Sequence, residues 1–214
     1  MAVHTDSSGK TLADYPRPSV AVDTAVLTVT DGTLCVLLVD DARDRSRRLP
    51  GTFLHAGEVL ADAVRRSLAD KGGLTGLAPT QLHVFDALDR DDRGWVLSVA
   101  HLVAVPADRL GEATLAPVTD VGPLAFDHRA ILELAVARLQ ADYRERPDPW
   151  GLLAAGPFTL LELERLHRAV DPSRPDHKDT FRRLMEPQLL DTGELEQGTV
   201  GKPARLFTRK RGQR

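Results

Sequence analysis

Over 214 residues the chain has one cysteine, two methionines, two tryptophans and two tyrosines, and aromatic residues make up only 5% of it. A lone cysteine excludes an intrachain disulfide and points to a reducing cytoplasm. Cys35 lies inside the apolar run TLCVLLV and reads as a small buried hydrophobe. No stretch reaches the roughly 18 apolar residues that a membrane-spanning helix needs. The opening MAVHTDSSGKTLADYPRPS has no apolar core of the kind a secretory signal carries. A soluble cytoplasmic protein without a membrane partner is expected. The chain also lacks internal repeats, low-complexity tracts, a Gly-x-Ser-x-Gly elbow and a phosphate-loop motif. Its seven histidines, among them His55 and His101, show no metal-ligand spacing.

Charge is short of one sign in each part of the chain. The net charge is -3, but 16 basic residues face 22 acidic ones through Trp150, and 12 face 9 from Gly151 onward. The basic excess of the second part hints at a polyanionic partner. The remaining composition, 42% hydrophobic and 28% charged, is that of a soluble globular protein long enough for two small domains.

After a proline-broken segment, 1–18, the run SVAVDTAVLTV (19–29), the turn TDG and the run TLCVLLVDD (33–41) predict a β-hairpin. From Val59 to Lys71 the apolar residues Leu60, Val64 and Leu68 recur every four positions, which predicts an amphipathic helix ending at Gly72 and Gly73. LHVFDAL (82–88), the turn-rich DRDDRG and WVLSVAHLVAVP (95–106) predict a second hairpin, and 128–146 has helical spacing again. Hairpin, helix, hairpin, helix is an α+β order that fits an α/β/α sandwich with a mixed sheet. The proline and glycine density of 147–157 predicts a linker between a domain over 19–146 and another over 158–214.

In the second domain FTLLELERLHRAV (158–170) predicts a helix capped by Thr159 with Glu162 three residues on. DHKDTFRRLMEPQLLD (176–191) predicts another, with Phe181, Leu184 and Met185 inward and a kink or stop at Pro187. The glycine-rich end, closing in a basic tail, completes the pattern of a winged helix-turn-helix. Lys178, Asp179, Arg182 and Arg183 are then the outward face of a recognition helix, and Lys202 and Arg205 sit on the wing, within reach of DNA phosphates.

The stretch LPGTFLHAGEVLADAVRRSLADKGGL (49–74) resembles a Nudix box, with Gly51, Glu58, Arg66 and Gly73 at its structural positions. The pattern's opening glycine aligns with Thr52, one after Gly51, and the spacing is kept without a gap. The resemblance implies a pair, Glu58 and Arg66, that ties loop to helix. It also implies three metal-binding glutamates, but Ser67, Asp70 and Lys71 stand at those positions on one helix face. Magnesium requires hard oxygen donors, so neither a metal nor a cofactor nor any catalytic residue is expected here, unless hydrolysis survives with Mg²⁺. Lys71 is instead a candidate contact for a ligand's phosphate, and so are Arg90 and Arg93 of DRDDRGW. The competing reading of these arginines is a solvated turn in which they pair with Asp89, Asp91 and Asp92.

FTLLELERLHRAV, TFRRLMEPQLLDTGE and GKPARLF, with QLHVFDALDRDDRGWVLSVAHLVAVP and LAFDHRAILELAVARL upstream, are similar to the NrtR-type Nudix-related transcriptional regulators over nearly all of residues 20–208. The resemblance implies a catalytically impaired Nudix domain that binds ADP-ribose or a related nucleotide, and a winged helix that binds operator DNA as a homodimer. Phe181, Arg182 and Arg183 match that family's motif; Lys202 stands where arginine is common, and Thr180 where asparagine is frequent. Two alternatives stay open at this stage: a Nudix hydrolase of nucleoside diphosphate derivatives, and a non-catalytic nucleotide-binding protein.

Overall fold

The structure, a computed structural model, describes residues 4–41, 45–173, 177–197 and 203–210. Its centre is Ser19–Thr30 (β1), whose residues 21 to 28 are all buried. β1 turns back through Asp31 and Gly32 into Thr33–Leu37 (β2), antiparallel with Thr30 opposite Thr33, as the two-residue turn requires. Val39–Asp40 (β3) and Arg47–Arg48 (β4) make a small separate ribbon, so the second apolar run is two strands and not one. Gly51–Phe53 (β5) then pairs antiparallel with the start of β1. Leu60–Gly72 (α1) follows, and it stops where the glycine pair predicts. Gly73 takes the left-handed conformation, φ 63, and its N–H reaches back to the carbonyls of Ala69 and Leu68.

Thr80–Phe85 (β6) and Val96–Ala104 (β7) form the second expected hairpin, and Leu115–Pro117 (β8) lies against β2. β7 pairs with β1 in parallel from Ser19 opposite Val96 to Leu27 opposite Ala104. Among the described residues the main sheet thus has six strands in the order β6-β7-β1-β2-β8, with β5 also on β1. It is the expected mixed sheet.

Because side chains alternate along a strand, β1 serves two cores at once. Val22 and Val26 pack on Ala63, Val64 and Leu68 of α1, while Ala25 and Leu27 pack on the opposite side against Ile131, Leu132, Ala135 and Leu139 of His128–Glu145 (α2). Helix, sheet and helix make the α/β/α sandwich. Cys35 is buried and unpaired, as its apolar neighbours suggest. No helix among the described residues is long and apolar enough to cross a membrane.

The C-terminal unit begins with Phe158–Thr159 (β9) and Leu160–Val170 (α3). Thr159 caps α3 as expected: its Oγ1 accepts from the Glu162 N–H at 3.2 Å, and the Glu162 carboxylate accepts from the Thr159 N–H at 2.7 Å. The next helix, Lys178–Met185 (α4), is shorter than the sequence suggests. Glu186–Gln188 tightens into a 3₁₀ turn around Pro187, and Leu189–Leu195 (β10) is a strand, not the tail of a helix. β10 pairs with Arg205–Arg209 (β11), which pairs with β9. Phe158, Leu163, Phe181, Met185, Leu189 and Phe207 fill this small core. Leu184, expected inside, is 46% exposed, because the core stripe of the eight-residue α4 is carried by Phe181 and Met185. Helices α3 and α4 with a three-stranded antiparallel sheet are a winged helix.

Residues 147–157, expected as a linker, belong to neither helix nor strand, yet they are tied down on both sides. Leu152 is buried in the same cluster as Leu139 and Tyr143 of α2 and Leu166 and Val170 of α3. The His167 ring is bonded to the Pro147 carbonyl at 2.5 Å and meets Tyr143 and Phe181 edge-on, with centroids 5.2 and 4.9 Å away. A side chain of α3 thus touches both the sandwich and α4.

Candidate functional site

The loop after β5 and the first turns of α1 are joined by the Glu58–Arg66 pair. Arg66 donates Nε to Glu58 Oε1 and Nη2 to Oε2, each at 2.8 Å, and also reaches Thr52 Oγ1 at 3.0 Å and the Phe53 carbonyl at 2.9 Å. The other side of the loop is closed by the His55 N–H, which donates to Glu58 at 2.9 Å. The Arg66 guanidinium, with the His55 amide, lowers the Glu58 carboxyl to about 2. Loop and helix are therefore held in one geometry by charge-assisted bonds.

Facing that frame, the residues at the metal positions do not fit a divalent cation. Ser67 is 1% exposed, and its hydroxyl has no hydrogen-bond partner among the described residues. Asp70 points to the exposed side of α1. Lys71 donates its ammonium to the Gly51 carbonyl, across the gap between α1 and β5. Burial pushes the Lys71 amine below its ordinary value, with Asp23 acting against that shift. A buried hydroxyl, one solvated carboxylate and an ammonium are no donor set for magnesium. No group of three His, Cys, Asp or Glu among the described residues could hold a metal. Metal-assisted hydrolysis has no footing on these side chains.

Gly51 also shapes the floor of the site. A Cβ there would stand 1.8 Å from Asp23 Oδ1, so only glycine lets β5 pass over this carboxylate. Asp23, in the middle of β1, is 6% exposed and sits among Ser98, His128 and Arg90. The Ser98 hydroxyl donates to its Oδ2 at 2.5 Å, and His128 Nε2 lies 3.3 Å from Oδ1. His128 Nδ1 accepts from the Leu49 N–H at 2.9 Å, which leaves Nε2 as the nitrogen that donates to Asp23. Burial opposes ionisation of Asp23, but His128, Ser98 and Arg90 outweigh it and hold the carboxyl below its ordinary value.

Gly51, Asp23, His128 and Arg90 line a cavity of about 600 Å³ at the junction of β1, β5 and α1, a size suited to a nucleotide. Lys71, Arg90 and Arg93 all line it, as does Arg48. The structure gives the two predicted arginines different places. Arg90 has a buried side chain held by Asp127, with Nε at 2.8 Å and Nη2 at 2.6 Å, and not by the aspartates of its own turn. Arg93 pairs with Asp91 at 2.8 and 2.6 Å and lies between two rings, 5.3 Å from the centroid of Phe53 and 5.2 Å from that of Phe126. Sequence reasoning did not find Asp23, Ser98, Asp127, His128, Phe53 and Phe126. An aspartate inside an otherwise apolar β-strand run was the one visible hint, since a buried carboxylate needs partners.

In the winged helix, Lys178, Arg182 and Arg183 are exposed on α4 and Thr180 is half-buried. Arg182 Nε lies 2.6 Å from Glu186 Oε2. Arg205 of β11 reaches the same carboxylate and also Asp191, at 2.7 Å. One glutamate thus joins the outer face of α4 to the wing strand. Lys202 lies outside the described residues.

A Nudix-fold sandwich whose cavity is lined by four cations and four carboxylates, followed in the same chain by a winged helix, defines a class of Nudix-related winged-helix proteins. No family model matches the chain. It is 27% identical over 210 residues to the ADPR responsive transcriptional repressor NtrR of Acinetobacter baylyi, covering 91% of this chain and 83% of the relative. The structure of Shewanella oneidensis NrtR complexed with a 27mer DNA superposes with a TM-score of 0.74 at 30% identity, covering 91% of this chain and 94% of that one. The NUDIX domain of the same Shewanella protein, complexed with ADP ribose, is 28% identical with a TM-score of 0.54, over 62% of this chain and 95% of that one. An ADP-ribose pyrophosphatase of Methanocaldococcus jannaschii is 30% identical over 125 residues, 56% of this chain and 73% of the relative. The chain belongs to the NrtR family of Nudix-related transcriptional regulators.

Proposed function

We propose that this protein is a DNA-binding transcriptional regulator whose Nudix domain senses ADP-ribose, acting in the cytoplasm as a homodimer. The observation that carries this reading is the union of two parts in one packed chain. The roughly nucleotide-sized cavity stands beside a box whose metal-binding glutamates are replaced by Ser67, Asp70 and Lys71, and the α3 and α4 pair exposes Lys178, Arg182 and Arg183. Relatives of matching architecture bear names or complexes that join the same two ligands, ADP-ribose and DNA.

A ligand alters DNA binding only to the extent that it prefers one arrangement of the protein over another. In a dimer, two winged helices must meet half-sites at a fixed spacing, so a small change in the sandwich that shifts their separation is read as affinity. Cleavage is the weaker reading. Pyrophosphate needs strong electrostatic catalysis, and Ser67, Asp70 and Lys71 do not offer the carboxylates that would hold a catalytic metal.

The test is fluorescence anisotropy of the full chain on a duplex from its own upstream region, at several salt concentrations, with and without ADP-ribose. Salt-dependent, sequence-selective binding that ADP-ribose shifts is the expected result. Magnesium-dependent release of AMP from ADP-ribose at ordinary enzyme rates, with DNA affinity indifferent to the nucleotide, would overturn it.

A further inference from the structure

We propose that the Lys71 ammonium takes the place of a divalent cation in this cavity and binds the diphosphate of its ligand, so that nucleotide binding is independent of metal. The inference rests on the nucleotide-sensing reading above and deepens it. Four cationic side chains line the cavity: Arg48, Lys71, Arg90 and Arg93. Each arginine is held by a carboxylate: Arg48 by Asp41 at 2.9 Å, Arg90 by Asp127 at 2.6 Å and Arg93 by Asp91 at 2.6 Å. Lys71 is held by the Gly51 carbonyl, which carries no net charge. An ammonium has three donors, and this contact uses one of them.

Its position strengthens the assignment. Lys71 lies in the last turn of α1, where the helix dipole favours a cation. It also stands on the face where the family's box carries a metal-binding carboxylate, beside the buried Ser67. A lysine there excludes the metal by its charge and supplies at the same spot what the metal would have supplied, a positive charge next to phosphate oxygens. The carboxylates facing the cavity are Asp23, Asp40, Asp41 and Asp91. Asp41 and Asp91 are matched by the arginines named above. Asp23 is hydrogen-bonded by Ser98 and His128, lies 3.7 Å from Arg90 and also acts on Lys71, and Asp40 lies 3.9 Å from Arg47. Of the four cations that line the cavity, Lys71 is therefore the one whose hydrogen-bond partner is uncharged.

The experiment is calorimetric titration of the full chain with ADP-ribose, ADP and inorganic pyrophosphate, in excess EDTA and in millimolar magnesium. Lys71→Met and Lys71→Arg are titrated beside the native protein, and DNA retardation serves as the check that each variant is folded. Native affinity should agree within about twofold between the two conditions, and Lys71→Met should lose about tenfold or more while Lys71→Arg keeps most of it. Tightening of about tenfold by magnesium, or native-like binding by Lys71→Met, overturns the inference. If ADP-ribose does not bind but ADP or pyrophosphate binds in a Lys71-dependent way, the ADP-ribose reading fails and this inference stands. If no diphosphate binds, the inference falls.

Discussion

Arg209 of the wing strand donates its Nε at 2.9 Å to the carboxylate of Asp148, a fully buried side chain of the segment between the sandwich and the winged helix. The same carboxylate accepts from the Tyr143 hydroxyl at 2.6 Å and from the amides of Leu152 and Leu153 at 2.9 and 3.2 Å. One anion therefore ties α2, the intervening segment and β11 together. Burial, with Asp148 beside it, raises the Tyr143 hydroxyl well above its ordinary value, so Tyr143 stays a donor. Replacing Arg209 by Met keeps an unbranched apolar side chain but removes the charge, and with it the guanidinium that lies 5.3 Å from the Phe158 ring centroid. Stripping one partner from a buried pair commonly costs about 3 kcal/mol. Urea unfolding should show that loss for Arg209→Met, and Asp148→Asn in the same chain should recover part of it. Equal stability of native and Arg209→Met proteins would mean that the pair contributes nothing to the junction.

The Glu58–Arg66 pair makes a prediction in pH. The folded-state Glu58 carboxyl lies at about 2, below its ordinary 4.5. A depressed carboxyl contributes stability that is present above the unfolded value and is lost as pH falls through the folded one. Native protein should therefore be more stable than Glu58→Gln at neutral pH, with the gap closing between about pH 4.5 and 2. Thermal melts at stepped pH measure it. A gap that persists unchanged to the acid end would show that the difference comes from packing and not from ionisation.

Gly51 is a steric prediction. An alanine Cβ would meet Asp23 Oδ1 at 1.8 Å and the Val22 carbonyl at 3.0 Å. Asp23 cannot swing aside without breaking its bonds to Ser98 and His128. The strain should instead lift β5 from β1, at a cost of about 2 kcal/mol or more. The Lys71 contact to the Gly51 carbonyl should be disturbed with it, so Gly51→Ala should lower both the melting temperature and nucleotide affinity. A variant as stable as the native chain would contradict the close approach.

What was legible in the sequence was local. The β1 and β2 hairpin, the period of α1 with its glycine stop, and the Thr159 cap with Glu162 each follow from residues within one turn or one strand of each other. The parts that escaped depend on distant partners. Arg90 sits among Asp89, Asp91 and Asp92 in sequence but is held by Asp127, 37 residues away, because the loop folds over the start of α2. The parallel pairing of β1 with β7 leaves no local trace, so the carboxylate floor of the cavity was invisible until Ser98 stood beside Asp23. α4 is shorter than its sequence suggests for a related reason: Leu189 and Leu190 extend an apolar pattern, while pairing with β11 makes them strand. The order of two helices and a glycine-rich end already described the winged helix, and the family resemblance carried by FRR and GKPAR added the expectation of operator DNA.

Glu186 yields a prediction about DNA. Its carboxylate bonds to both Arg182 and Arg205, and these guanidiniums, Arg182 first, hold it below the ordinary carboxylate value. On the exposed surface such bonds add little stability, because water screens them. Near DNA the balance changes if Arg182 and Arg205 face phosphates as proposed, because the carboxylate offsets both cations and is itself repelled. Glu186→Gln keeps the size of the side chain and a hydrogen-bond acceptor but removes that opposing charge. Affinity for any duplex should rise about threefold at moderate salt, with a salt dependence steeper by about one phosphate contact. Arg182→Ala with Arg183→Ala should do the reverse. If the main role of the glutamate were to position the arginines, Glu186→Gln would bind DNA more weakly, and anisotropy titrations at three salt concentrations separate the two outcomes by the sign of the change.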